Sequence, residues 1–258
     1  MTLDFLKIGS SENFLLTQII KKNFSSKYKD SVLGIFWSVL KPLLYMVMMT
    51  VIFSTIFKRI DNFAVYFLSG YSLYQFFVSA TNVSMFSLKN NKSILEKVKT
   101  SRYIFAIGGI FTEFINLLIT LALLAVIMFV TKAPFYPTAL YGIVTIAILT
   151  VTIIGVGLIL AILNSYFSDI GHLYSIFTIF LMYASAVFVP MESIPAWAAK
   201  YLSLNPLYQC IFQFREVVMY GHQLPMQSVI YTIICAIILF VLGVIIFNRF
   251  QDKVIYRL

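Results

Sequence analysis

Acidic side chains are scarce in this sequence, ten Asp and Glu against nineteen Lys and Arg in 258 residues, and histidine and cysteine occur only twice each. Each shortage excludes something. An enzyme working by acid–base or metal chemistry gathers carboxylates and histidines in one place, whereas here the acids are scattered singly and His172 and His222 have no partner at ligand spacing. No catalytic cluster and no metal site are expected, and both histidines read as structural. Cys210 lies in a polar connection and Cys235 inside an apolar run, so the pair supports no disulfide framework. No G-x-x-x-x-G-K-[ST] stretch occurs, and none of the eleven glycines precedes a lysine. The chain therefore lacks the loop by which such NTPases hold phosphate, and no cofactor is expected on it. Its first residues, "MTLDFLKIGSSENF", also lack the basic region, apolar core and small-residue site of a cleavable signal.

Apolar residues are abundant. Hydrophobic residues make up 60% of the chain and charged ones 11%, with mean hydropathy +0.92, which leaves too little polar surface for a water-soluble globule. A formal charge of +9 could suggest nucleic acid, but long apolar spans separate the basic residues, so no nucleic-acid partner is expected. The pattern predicts an all-α polytopic membrane protein, a single domain over 1–258, with six transmembrane helices near 33–57, 63–88, 103–131, 136–166, 173–190 and 226–248, and a tail over 249–258. The lysines and arginines of 1–41, 89–102 and 249–258 outnumber those of the intervening connections. The positive-inside rule then puts both termini in the cytoplasm, with the chain in the cell membrane, inner or plasma.

Five stretches carry more than topology. In "NFLLTQIIKKNFSSKYKD", Leu16, Ile20, Phe24 and Tyr28 recur every four residues while Lys22 and Lys29 project from the other side. Residues 13–29 thus read as an amphipathic helix in the membrane interface, against the plainer reading of a solvated basic arm. Lys41 and Pro42 then interrupt the first span, where the lysine can snorkel to headgroups and the proline can kink the helix. Between spans five and six, Pro195, Pro206 and Pro225 break a connection too long for a turn. It reads as two short helices around Asn205-Pro206, a re-entrant hairpin at the outer surface and a candidate outer gate, with a plain loop as the alternative. Within the third span Glu113 and Asn116 share a helix face, and no cationic partner is evident for the carboxylate, which favours interhelical hydrogen bonding, with a pore-facing position or a proton relay as alternatives. Tyr71, Tyr74 and Phe77 share another face and could stack on sugar rings or simply pack.

"KYKDSVLGIFWSVLKPLLYMVMMTVIFSTIF" resembles the first span of ABC-2 type polysaccharide exporter permeases, the family of O-antigen, capsule, teichoic acid and rhamnan export permeases. The shared pattern is Leu33, Gly34, Trp37 and Pro42. "YLSLNPLYQCIFQFREVVMYG", with Asn205, Pro206 and Arg215, resembles the family's outer segment, and "NSYFSDIGH" its inner loop between spans four and five. Ser168 stands where the family commonly has Arg, with Asp169 retained, and Asp169 reads equally as a helix N-cap or a docking residue. The resemblance implies a homodimeric permease served by two copies of a separate ABC ATPase, which holds the ATP and Mg, and a lipid-linked polysaccharide as cargo. It places ATPase docking on the interfacial helix with Lys22 and Lys29, on Ile94, Leu95 and Val98 of the 89–102 connection, and on Asp169. Other readings are an ABC-2 permease for a drug or lipid, and a secondary transporter or channel, against which the absence of paired intramembrane charges argues.

Overall fold

Runs rich in Leu, Ile, Val and Phe leave the backbone no solvent partner in a membrane, and a helix is the conformation that pairs every amide within its own segment. The computed structural model describes residues 10–29, 31, 33–58, 60–95 and 101–255, and every regular element among them is helical. In chain order these are α1 (Ser10–Tyr28), α2 (Trp37–Phe53), α3 (Phe63–Asn90), α4 (Lys92–Leu95), α5 (Tyr103–Val130), α6 (Gly142–Tyr166), α7 (Ile170–Ala184), α8 (Ala196–Leu202), α9 (Pro206–Val218) and α10 (Met226–Ile255).

The most intimate packing is of α6 on α10, and of α3 on α5 and α6. Small residues allow the first of these. A Cβ on Gly155 would lie 2.5 Å from the Leu239 carbonyl, and one on Gly243 would lie 2.5 Å from the Gly155 oxygen, so the two backbones meet where side chains are absent. One core surrounds α3 and α9 and includes Phe67, Leu73, Leu149 and Ile211. A second, holding Ile19, Leu95, Tyr103 and Phe247, joins α1, α4 and the ends of α5 and α10. Both ends of the described chain therefore lie on the same side of the bundle. Arg102 Nη1, 2.6 Å from Asp252 Oδ1, ties the start of α5 to α10 there.

Among the described residues, four helices are long and apolar enough to cross a membrane: Gly34–Phe53, Tyr103–Val130, Pro137–Tyr166 and Met226–Val254. The six-span expectation adds α3 and α7, and each differs for its own reason. With 28 residues α3 rises about 42 Å, ample for a hydrocarbon core of about 30 Å. Its serines, Thr81 and Gln75 lower its hydropathy, and the other helices bury most of them. By contrast α7 is apolar and, at 15 residues, rises only about 22 Å. The fifth span, expected over 173–190, ends as a helix at Ala184. The chain turns there through Ala186 at φ +50°, and side chains from α9 and its N-cap take up the freed carbonyls.

Candidate functional site

Helix α1 packs along α5, burying Ile19 beside Gly108, where a Cβ would press on the isoleucine. This seats the last turn of α1 over the middle of α5. Lys27 Nζ lies 2.9 Å from Glu113 Oε1 and 3.0 Å from Oε2, and Asn116 Nδ2 donates to Oε2 at 2.9 Å. The carboxylate is 6% exposed and the lysine side chain 42%. A nearly buried charge in a span is tolerable when it is paired and hydrogen-bonded in this way. The sequence reading left Glu113 without a cation because its partner lies 86 positions away, on a helix assigned to the membrane interface. Nothing local in the sequence signals that contact.

Glu113 borders a cavity of about 250 Å³ between α1, α2, α3 and α5. Trp37, Lys41, Pro42, Tyr71 and Asn116 line it too, so residues singled out separately for the bend, the pore and the aromatic face meet at one site. Ser38, Gln75, Ser79 and Thr120 complete a polar wall that the sequence reading missed. Gly34, at φ +47°, starts the single 3-10 turn that leads into α2, a left-handed backbone that glycine adopts at little cost. Pro42 sits inside α2 with its ring buried, and Trp37 remains half exposed at the helix start.

Tyr71, Tyr74 and Phe77 are buried. Tyr71 stacks on Tyr45 at 5.6 Å, and the Tyr74 hydroxyl donates to the Thr178 carbonyl of α7 at 2.9 Å. Most of the ring surface that could meet a sugar is thus covered by the chain itself, and only Tyr71 reaches the cavity.

At the opposite end of the bundle, the short helices α8 and α9 follow one another through Asn205. Asn205 caps α9 by accepting from Leu207 N at 3.0 Å, with Pro206 in the first helical position. The same side chain donates to the Ala184 carbonyl and to Ser185 Oγ, sealing the end of α7. Pro195 takes the position before α8. Arg215 is fully enclosed, with Nη1 donating to Ala186 O and Nη2 to Val187 O and Tyr66 O, while its guanidinium lies 3.5 Å over the Tyr66 ring. Gly70 leaves room for it, since a Cβ there would collide with Nη2. Arg215 so binds the reversal after α7 to α3. It also forms part of a cavity of about 650 Å³ with Phe57, Lys58, Glu192, Tyr208 and Tyr220. Gln213, fully buried, donates to Ser228 Oγ and Thr232 Oγ1 and ties α9 to α10.

Of the residues expected to meet an ATPase, Lys22 and Asp169 lie toward the end of α3 that carries Lys89 and Asn91, whereas Lys29 follows the last turn of α1. Lys22 is exposed on α1 and donates to Asn91 Oδ1 at 3.2 Å, and Lys29 is exposed just beyond the helix. Asp169 is exposed at the N-cap position of α7 without a side-chain capping bond. Next to it, Ser168 Oγ accepts from Lys89 Nζ at 3.3 Å. The apolar patch expected at 94–98 is different: Leu95 is turned into the core and Ile94 is half buried, while Val98 lies outside the described residues. No three of His, Cys, Asp and Glu gather as a metal site among the described residues.

A bundle of helices long and apolar enough to cross a membrane, with cavities between them, fits a membrane transport protein. The family model described as ABC-2 type transporter matches residues 15–219, and the chain belongs to that family. Over 241 residues it is 29% identical to the O-antigen export system permease protein RfbA of Klebsiella pneumoniae, covering 93% of each chain. It is 23% identical to the polysialic acid transport protein KpsM of Escherichia coli, over 86% of this chain and 88% of that one. With the capsule polysaccharide export inner-membrane protein CtrC of Neisseria meningitidis it shares 21% identity over 97% of this chain and 96% of the relative.

Proposed function

We propose that this chain is the permease subunit of an ATP-driven exporter that moves a lipid-linked polysaccharide, of the O-antigen, capsule or teichoic-acid kind, from the cytoplasmic side of the inner or plasma membrane. The observation that carries this is end-to-end similarity, across nine-tenths of both chains, to a permease named for O-antigen export. The cavity between α1, α2, α3 and α5, with its charged and polar groups on a largely apolar wall, supports it. Six helices cross the membrane, with α3 and α7 joining the four long apolar ones, and α7 completes its crossing through the 185–190 segment. Both termini are cytoplasmic, and the α8–α9 hairpin with Pro195, Asn205, Pro206 and Arg215 is the outer gate.

Two copies of the chain form the path, since six helices enclose too little lumen for a polymer. The exposed apolar face of α7, with Leu173, Ile176 and Phe180, supports such pairing. A separate ATPase, supplying ATP and Mg, docks on the cytoplasmic end at Lys22, Lys29, the exposed edge of Ile94, the Val98 segment and Asp169, and drives α1 against α5. Deletion of the gene should remove the surface glycan and leave lipid-linked polymer inside the cell, with both restored by the wild-type chain. An unchanged surface glycan in the deletion would refute the reading, and loss of drug efflux with the glycan intact would redirect it to another cargo.

A further inference from the structure

The Lys27–Glu113 pair is a shared wall. On one side lies the cavity of Trp37, Lys41 and Asn116. On the other is a cavity of about 390 Å³ lined by Asn23, Ser26, Asn82 and Thr112, and Lys27, Ser79 and Glu113 border both. The charges around the pair do not balance. Glu113 receives Lys27 on both oxygens and Asn116 on one, so its charge is already matched. Among the described residues, Lys41 lines the same cavity and makes no ion pair, and no second carboxylate lines either cavity. An ammonium inside a span is costly unless an anion or headgroup meets it. Leu44, Tyr45 and Met48 on the adjoining face of α2 are exposed, so this cavity adjoins the lipid-facing side of the chain. An anion anchored in the membrane can reach Lys41 without crossing water.

We infer that Lys41, Lys27 and Glu113 form a binding site for a phosphate or diphosphate group carried on a lipid. Lys41 is the standing cation, and Lys27 is the cation that the ligand takes over from Glu113. Trp37 and Pro42 give the site an apolar wall for the first methylenes of the lipid, and Ser38 and Gln75 add neutral polar groups. When Lys27 turns to the ligand, the wall between the two cavities opens, and the grip of α1 on α5 loosens at its last turn. Ligand arrival is thereby felt by the helix that carries Lys22 and Lys29. This assignment rests on reading the chain as a permease for lipid-linked cargo.

The test is calorimetric titration of farnesyl diphosphate into the permease–ATPase complex in zwitterionic nanodiscs. Binding is expected, weakened about tenfold by Lys41→Gln, as befits loss of one charge-assisted contact, and kept by Lys41→Arg. Glu113→Gln should tighten it by freeing Lys27, and the unfolding temperature of each variant establishes that it is folded. No binding to the wild-type complex, equal affinity in Lys41→Gln, or weaker binding in a folded Glu113→Gln would overturn the site. Inorganic diphosphate and phosphatidylglycerol are the comparison arms. Equal binding of the inorganic ion would overturn the lipid requirement, whereas competition by phosphatidylglycerol at similar affinity would assign the site to bulk phospholipid instead of a carrier lipid. Loss of surface glycan in the gene deletion, together with unaltered binding in Lys41→Gln, would reject the site and leave the export function standing.

Discussion

Lys27 and Glu113 show how much one pair can decide. Removing the lysine leaves an almost buried carboxylate with only Asn116 as a donor among the described residues, and because Lys27 is 42% exposed the cost falls below the roughly 3–5 kcal/mol of breaking a fully buried pair. Lys27→Ala should therefore lower the unfolding temperature of the purified complex clearly. The double variant Lys27→Ala/Glu113→Gln should recover most of the loss, because no uncompensated charge remains. Equal destabilisation in the two variants would mean that the packing of α1 matters and the ion pair does not. Arg215 shows the same economy with neutral partners: three carbonyls and a tyrosine ring hold its charge, and its Nε finds no partner among the described residues.

Among the elements, α6 and α10 depend on an approach that only glycine permits. Gly155→Ala would force a methyl against the Leu239 carbonyl, which belongs to backbone that cannot swing away. Overpacking of this sort costs about 1–3 kcal/mol, so a lower unfolding temperature with unchanged cavity residues is expected, whereas an unshifted transition would show that the helices can part freely. Helix α2 poses a different question. Pro42 withholds one backbone donor and strains the turn before it, a defect of roughly 3 kcal/mol in an ordinary helix interior. If the bend is a joint between α1 and α2, Pro42→Ala should stabilise the helix yet lower surface glycan and uncouple ATP hydrolysis from export. Normal export and normal coupling in that variant would make the proline merely tolerated.

For the whole molecule, the arrangement across the membrane is open to direct measurement. With Cys210 and Cys235 replaced by serine, Lys200→Cys in α8 should react with an impermeant maleimide on intact spheroplasts. Asp252→Cys, near the end of α10, should react only after permeabilisation. The reverse pattern would invert the chain and move the hairpin to the cytoplasmic side. Orientation follows from where the basic residues are placed along the chain, which is a property of the whole sequence and of no single element.

Composition and period were enough to establish a helical membrane protein, to put a helix before the first span and two short helices around Asn205-Pro206, and to single out Lys41, Pro42 and Glu113, while the resemblance pointed to Gly34. Those are local properties: lipid imposes helix on long apolar runs, and proline, glycine and charge stand out against them. The tertiary structure decided which of these residues meet. It brought Lys27 to Glu113 and gathered Trp37, Lys41, Tyr71 and Asn116 around one cavity. It turned Leu95, Tyr74 and Phe77 inward and stopped the fifth apolar run at Ala184. Each of these is a contact between segments tens of residues apart, fixed by helix packing and by side chains such as Arg215 that collect distant carbonyls, and a periodicity read along one segment contains no term for its neighbour.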